Sequence, residues 1–237
     1  MRTEDDLGAL LEHGDLEVMG LLPRASNSTY LGRVRAGARS VPVVYKPRAG
    51  ETPLWDFPDG TLCSREVAAS VLADALGWPN VPPTVLRDGP YGVGSVQRYV
   101  EAESGQHYLT LRESRLEEFE PVAAFDVITG NGDRKSGHCL LGLDGRVWVV
   151  DHGLCFNLRP VLRTVIWDFA GGPIPRELLE SLGRLAGELR TGPLRRRLLD
   201  LLSEDEVDAT ADRAEALRSA GVFPPPGPGR SVPWPAI

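Results

Sequence analysis

Between residues 30 and 100 the hydrophobic pattern changes period twice, from alternation to a helical stripe and back, and runs of like period are joined by short turns. From Tyr30 to Tyr45 two β-like runs, TYLGRV and VPVVYK, flank the Gly37-containing turn AGARS, a hairpin signal. VPPTVLRDGPYGVGSVQRYV supplies two more strands around a turn at Asp88 to Gly94. Between the hairpins, SREVAASVLADALG repeats Val67, Val71, Ala75 and Ala68, Leu72, Leu76 at fourfold spacing, with Ser64 placed to cap the helix and Gly77 to stop it. Strands joined by short turns must pair antiparallel, and the helix stripe wants a sheet beneath it. Residues 20 to 100 therefore predict an antiparallel sheet with one helix packed against it.

The rest of the chain is mostly helical. Residues before 18 read as a short helix or arm with Leu7, Leu10 and Leu11 on one face, and residues 47 to 61 as an exposed connection. EEFEPVAAFDVIT predicts an amphipathic helix with Pro121 in its first turn, and CLLGLDGRVWVVD a hairpin turning at Asp144-Gly145. Residues 151 to 175 show no period and read as a long functional loop. Leu178, Leu182, Leu185 and Leu189 then form one helical stripe, and a capping box from Ser203 to Glu206 opens the last helix. Six prolines among the last fifteen residues predict a polyproline-like strap on the surface, available to a protein partner. The expected organisation is an arm over 1–19, a sheet lobe over 20–101, a mostly helical lobe over 102–222 and a tail over 223–237. This is an α+β, two-lobed chain with a cleft where the lobes meet, the usual home of a small-molecule site.

Composition narrows the classes. With 237 residues, 42% hydrophobic and 25% charged, the chain folds in water and buries a core without staples. Three cysteines, Cys63, Cys139 and Cys155, lack C-x-x-C spacing, and the first 20 residues lack a signal-peptide layout, so a reducing cytoplasmic setting is expected. No apolar run approaches the ~18 residues that span a bilayer, and a net charge of -7 argues against a mainly electrostatic nucleic-acid binder. Of 26 basic residues only Lys46 and Lys135 are lysines. A compact ammonium and a planar guanidinium do different work, which draws attention to both positions.

Both lysines fall in motifs with chemical content. GNGDRKSGH lies between a helix and a hairpin, and VVDHG follows the hairpin, so Asp133 and Asp151, 18 residues apart, stand at the two ends of one unit. Such a pair suits phosphoryl transfer: one carboxylate orients or deprotonates an attacking hydroxyl, the other binds a divalent cation that neutralises nucleotide phosphates. Lys46, at a strand end, could pair with those phosphates, and Glu66, on the following helix, could hold Lys46. An apolar strand VWVV ending in a carboxylate needs a partner for that charge. Arg134 and Lys135, beside Asp133, are charge partners for carboxylates or phosphate. Cys139 and Cys155 read as small core residues, and His152 as packing in the cleft floor. Trp55, Trp148, Trp167 and Trp234 read as packing, although Trp55 in an exposed loop and Trp167 beside Asp168 could line a substrate surface.

VVYKP, SREVA, GNGDRKSGHCLL and VVDHG, in that order and spacing, resemble the phosphatidylinositol 3-/4-kinase-like branch of the protein-kinase-like superfamily, which includes the HipA-like kinases. More narrowly, REVAASVLADALGW, VPPTVLRDGPYGVGSVQ, DRKSGHCLL, DHGLCF and WDFAG resemble a family of uncharacterised actinobacterial proteins grouped with that branch, over roughly residues 17 to 222. The resemblance implies a two-lobed protein-kinase-like fold that uses ATP with Mg, or with Mn. It implies Asp133 as the catalytic carboxylate with Arg134 and Lys135 beside it, Asp151 as a metal ligand, Lys46 as the phosphate-binding lysine and Glu66 as its partner. Gln97, Arg98, Tyr99, Val100 and Glu101 would form the hinge facing adenine.

Two positions depart from that pattern. His138 stands where the superfamily has a metal-binding asparagine, and an imidazole suits magnesium poorly, so His138 would ligate manganese, touch a phosphate or bind no metal. RASNSTYLG has no G-x-G-x-x-G, which leaves phosphate contact to Ser26, Asn27, Ser28 and backbone N–H groups. The leading expectation is an ATP-dependent phosphotransferase with an unknown acceptor: protein, metabolite or lipid. The alternatives are adenylyl transfer on the same fold, a catalytically silent nucleotide-binding scaffold, and a metallohydrolase using His138, His152, Asp133 and Asp151 as ligands.

Overall fold

A computed structural model describes residues 4–23, 27–159 and 161–237. Five antiparallel strands form the first layer, β1 (Asp15–Leu21), β2 (Tyr30–Ala36), β3 (Arg39–Pro47), β4 (Thr84–Gly89) and β5 (Gly92–Arg98), in the order β1-β2-β3-β5-β4. The two expected hairpins are present. Tyr30 pairs with Tyr45 in one, and Gly89 with Gly92 in the other, a tighter turn than the sequence suggested. Pairing of Lys46 with Ser95 joins the hairpins and sets the lysine in the middle of the sheet.

The chain's start holds the expected short helix, followed by a strand that was not expected. Glu4–His13 is a helix, α1, and Asp15–Leu21 pairs with β2 as the sheet's edge strand, so the sheet begins before residue 20. Leu10 and Leu11 are buried with Val34, Val43, Tyr45 and Val96. This short helix therefore shares in covering the sheet, a task the sequence assigned to the longer helix alone.

That longer helix, α2 (Leu62–Leu76), ends as expected at Gly77, whose φ of 77° is the left-handed conformation glycine adopts freely. Its start differs: the helix opens two residues before Ser64, and the Glu51 carboxylate accepts the N–H groups of Leu62 (3.0 Å) and Cys63 (2.8 Å). A carboxylate at this position satisfies orphan donors and complements the helix dipole. Residues 62–70 are buried all round, and α2 packs on β4 and β5 with one side and on the helical lobe with the other. Ala68, Ala69, Leu72 and Ala73 belong to the larger core. An unpatterned helix is what a position between two layers requires.

The second lobe holds α3 (Tyr108–Arg115), α4 (Glu120–Thr129), the ribbon β6 (Cys139–Leu141) and β7 (Val147–Val149), α5 (Arg176–Thr191), α6 (Pro193–Leu199) and α7 (Glu204–Ala220). Pro121 lies in the first turn of α4, the four leucines of the α5 stripe are buried, and the Ser203–Glu206 capping box closes as expected. Between β7 and α5 the described residues form neither helix nor regular strand. No described helix is long and apolar enough to cross a membrane.

Candidate active site

Lys46 on β3 reaches across the cleft. Its ammonium is ion-paired with Glu66 of α2 and lies 3.0 Å from Asp151 Oδ1, just past β7. Glu66 uses its other oxygen to accept the His152 N–H at 3.0 Å, so one buried carboxylate ties the sheet lysine to the backbone of the Asp-His-Gly segment. Burial disfavours the Lys46 charge, but Asp151 and Glu66 outweigh it and hold the ammonium above its ordinary pKa. Asp151 is held well below the usual carboxylate range, chiefly by Lys46. Burial pushes Glu66 the other way, partly offset by Lys46.

Asp151 has φ 63°, uncommon for a residue with a Cβ and tolerated best by Asn and Asp. Strain of this kind costs of order 1–3 kcal/mol and persists where surrounding contacts fix it. Here those contacts are Lys46, Glu66 through His152, and His138, whose Nε2 lies 3.2 Å from Asp151 Oδ2. The His138 Nδ1 accepts the Lys135 N–H at 3.3 Å, which leaves the ring proton on Nε2 and makes it a donor to Asp151. Burial pushes the His138 pKa down to about 4, so the ring is neutral at pH 7. Both nitrogens are thus engaged, one by the Lys135 N–H and one by the Asp151 carboxylate, so His138 orients Asp151.

Asp133 follows α4 in a loop set by the Asn131 side chain, which accepts the Asp133 N–H at 2.9 Å. Its carboxylate pairs with Lys135 Nζ at 3.1 Å. Burial raises its pKa, Lys135 opposes the rise, and the nearby Asp151 charge adds to it, so the two acids sense one another. The structure brings Lys46, Glu66, Asp133, Lys135, His138 and Asp151 together.

Other expected residues have different surroundings. Arg134 is fully buried: its Nε donates to Asp126 Oδ1 at 3.0 Å and its Nη1 to Val150 O at 2.9 Å. It is a positioning group beneath the Asp133 loop, not a contact in the cleft. Gln97 donates to Thr84 Oγ1 at 2.9 Å within the buried sheet, and the Arg98 guanidinium stacks over Trp148, so these two side chains of the expected hinge have internal partners. Tyr99 is partly exposed and Val100 buried. In the expected phosphate loop, Asn27 Oδ1 accepts the Thr52 N–H at 2.9 Å and Ser28 N–H donates to Gly50 O at 3.1 Å. A Cβ at Gly50 would sit 2.4 Å from Ser28 Cβ, so only glycine allows this approach. Ser26 lies outside the described residues. Trp148 is buried and Trp55 lies in an exposed loop with the Arg159 guanidinium over its ring, whereas Trp234 is exposed, contrary to a packing role.

The metallohydrolase alternative loses its ligands. His152 Nε2 is 2.8 Å from Arg134 Nη2 and accepts from that guanidinium, which denies it to a cation. Among the described residues no three His, Cys, Asp or Glu side chains converge as a metal-holding group. Carboxylate oxygens from Asp151, with Asp133 nearby, fit magnesium, which takes one or two carboxylates and completes its shell with water and substrate phosphates. Cys139 and Cys155 are buried with thiol pKa values pushed up to about 12, consistent with inert core residues.

Sequence reasoning missed Asp126. The signal was present, since a carboxylate within the apolar run of α4 demands a buried partner.

A five-stranded antiparallel sheet over a helical lobe, with a lysine bridging two acids at their junction, is a two-lobed protein-kinase-like fold. The proinflammatory kinase CtkA of Helicobacter pylori shares it, with a TM-score of 0.52 at 13% identity, covering 90% of this chain and 94% of that one. The chain is 38% identical over 273 aligned positions to Protein Rv2133c of Mycobacterium tuberculosis (strain ATCC 25618 / H37Rv), spanning all of this chain and 98% of that protein. It belongs to the family of Protein Rv2133c. A rice protein, phosphatidylinositol 4-kinase gamma 4 (Oryza sativa subsp. japonica), is 28% identical over 214 aligned positions, covering 74% of this chain and 37% of the rice protein. No family model matches the chain.

Proposed function

We propose that the chain is an ATP-dependent phosphotransferase of the phosphatidylinositol 3-/4-kinase-like type. The observation that carries this reading is Lys46 held between Glu66 and Asp151. An ammonium fixed by a buried carboxylate and facing a second, ionised one is set to accept a triphosphate between itself and Asp151. The name of the rice relative supports the branch.

In this reading Glu66 fixes Lys46 on the phosphates and His138 fixes the rotamer of Asp151. A divalent cation held by Asp151, when bound, neutralises phosphate charge. Asp133 accepts the proton of an acceptor hydroxyl as that oxygen bonds to the γ-phosphorus and the bond to the bridging oxygen breaks, leaving ADP with the electron pair. The raised pKa of Asp133 suits a group that takes a proton.

The engagement of His138 favours a second reading, a nucleotide-binding protein without turnover, because it leaves fewer side chains for a second cation. Incubation with γ-labelled ATP, magnesium or manganese and a panel of hydroxyl acceptors separates the two. Transfer or hydrolysis that falls by ~10²–10⁴ in Asp133→Asn, with nucleotide affinity unchanged, is the expected result. Wild-type protein that binds nucleotide and consumes none with either metal would leave the silent reading standing.

A further inference from the structure

The proline-rich tail runs back to the catalytic loop. Phe223 is buried, and its N–H and C=O pair with Gly172 and Gly171, each at 2.9 Å. Farther on, Ser231 O accepts the Thr164 N–H at 3.0 Å and the Trp167 indole N–H at 3.1 Å. Ala236 O accepts the Ser136 N–H at 2.8 Å. Pro233, between these anchors, is buried, while Val232, Trp234 and Ile237 are exposed.

These anchors flank Asp133. Arg163 N–H donates to Asn131 O (2.9 Å), Arg134 N–H to Arg163 O (2.9 Å) and Val165 N–H to Arg134 O (3.1 Å), so residues 131–134 and 163–165 lie as two paired stretches. The tail adds a third. It is held through its own carbonyls by backbone and indole donors, contacts that any extended peptide could offer, which is the chemistry of strand addition. Pro233 and Pro235 bring no N–H of their own, so the added segment accepts from this edge without extending it. Polypeptide entering beside Asp133 by strand addition would need donors at Thr164 and Ser136 that residues 231–236 already hold.

We propose that residues 230–237 form a strap that fills the strand-docking lane beside Asp133, so that the acceptor of the intact chain is a small hydroxyl compound and not an extended polypeptide. The acceptor class rests on the phosphotransfer reading above; the seating of the strap does not.

The test compares the full chain with one ending at Gly229, which keeps Phe223 and the whole core. Amide hydrogen exchange at Ser136 and Thr164 is expected to speed up at least ~10-fold on truncation, and a synthetic peptide of residues 230–237 to restore protection when added in trans. In case truncation unfolds the protein, Pro233→Asp in the intact chain unseats the strap by placing a charge at a buried position, with the same exchange readout. With γ-labelled ATP, the shortened chain should label unstructured serine- and threonine-containing peptides at least ~10-fold faster than the full chain, and small polyols equally. Equal exchange in both chains would overturn the strap. Equal peptide labelling would overturn the acceptor assignment. Protection that follows the tail while neither chain labels any acceptor would overturn the phosphotransfer reading, and the acceptor class with it, with the strap itself upheld.

Discussion

Two histidines in the site are neutral for the same reason. Burial lowers both His138 and His152, and Arg134 adds to the effect on each, although Asp151 opposes it. Unfolding returns His138 to an ordinary pKa near 6.5 from about 4, so the unfolded chain takes up protons that the folded chain refuses. Stability is therefore full above pH 6.5 and falls between there and pH 4, by at most ~3 kcal/mol for His138 alone. Denaturant melts across that window, without nucleotide or metal, should show a shallower decline for His138→Asn than for the wild type. Parallel slopes would mean that His138 is protonated, or free to become so, in the folded protein. Residue-level reading of the sequence singled out Lys46, Asp133 and Asp151 because each ends or punctuates a patterned segment, and Glu66 as a charge on the helix that follows the lysine; the four meet where the lobes join. It could not find the state of His138, which depends on a backbone N–H three residues earlier in sequence and on a carboxylate thirteen residues later.

At the scale of elements, the Asp133 loop is held from below by a buried charge pair. Asp126 on α4 and Arg134 are both fully buried, and Asp126 also accepts from Asn131 Nδ2 (2.9 Å) and Thr164 Oγ1 (3.2 Å). Helix, Asp133 loop and the segment at 164 thus converge on one carboxylate. Removing either partner strands the other without solvent, which costs ~3–5 kcal/mol, while an apolar pair of similar volume can be neutral. Urea unfolding should show Arg134→Met and Asp126→Leu each destabilised by about that amount, and the double variant destabilised by clearly less than the sum. Single-variant losses under ~1 kcal/mol would show that the pair does not hold the loop. Such pairs explain where element-level reading stops. The hairpins, α4, α5 and the α7 capping box were legible because their signals are local. The stripe of α2 foretold its packing on the sheet but not the helical lobe on its other side or the help of α1, because amphipathic spacing tells which face is apolar, not which layers will cover it.

Across the whole molecule, α2 makes the two lobes one body. Arg65, fully buried on α2, donates to Cys155 O at 2.9 Å and is ion-paired with Glu206 of α7, and Phe57 lies against its guanidinium. Glu66, the next residue, holds Lys46. Consecutive side chains of one helix therefore anchor the helical lobe and Lys46, which sets the lysine against Asp151. No local pattern foretells Arg65 with Glu206, since 141 residues separate them. The lysine's placement between the lobes is the claim on which the functional reading turns, and calorimetric titration with ATP, with and without magnesium, tests it most directly. Magnesium-dependent binding by the wild type, weakened at least ~10-fold in Lys46→Met while the fold is retained, is the predicted result. Binding of equal strength in the two proteins, or none in the wild type, would contradict it.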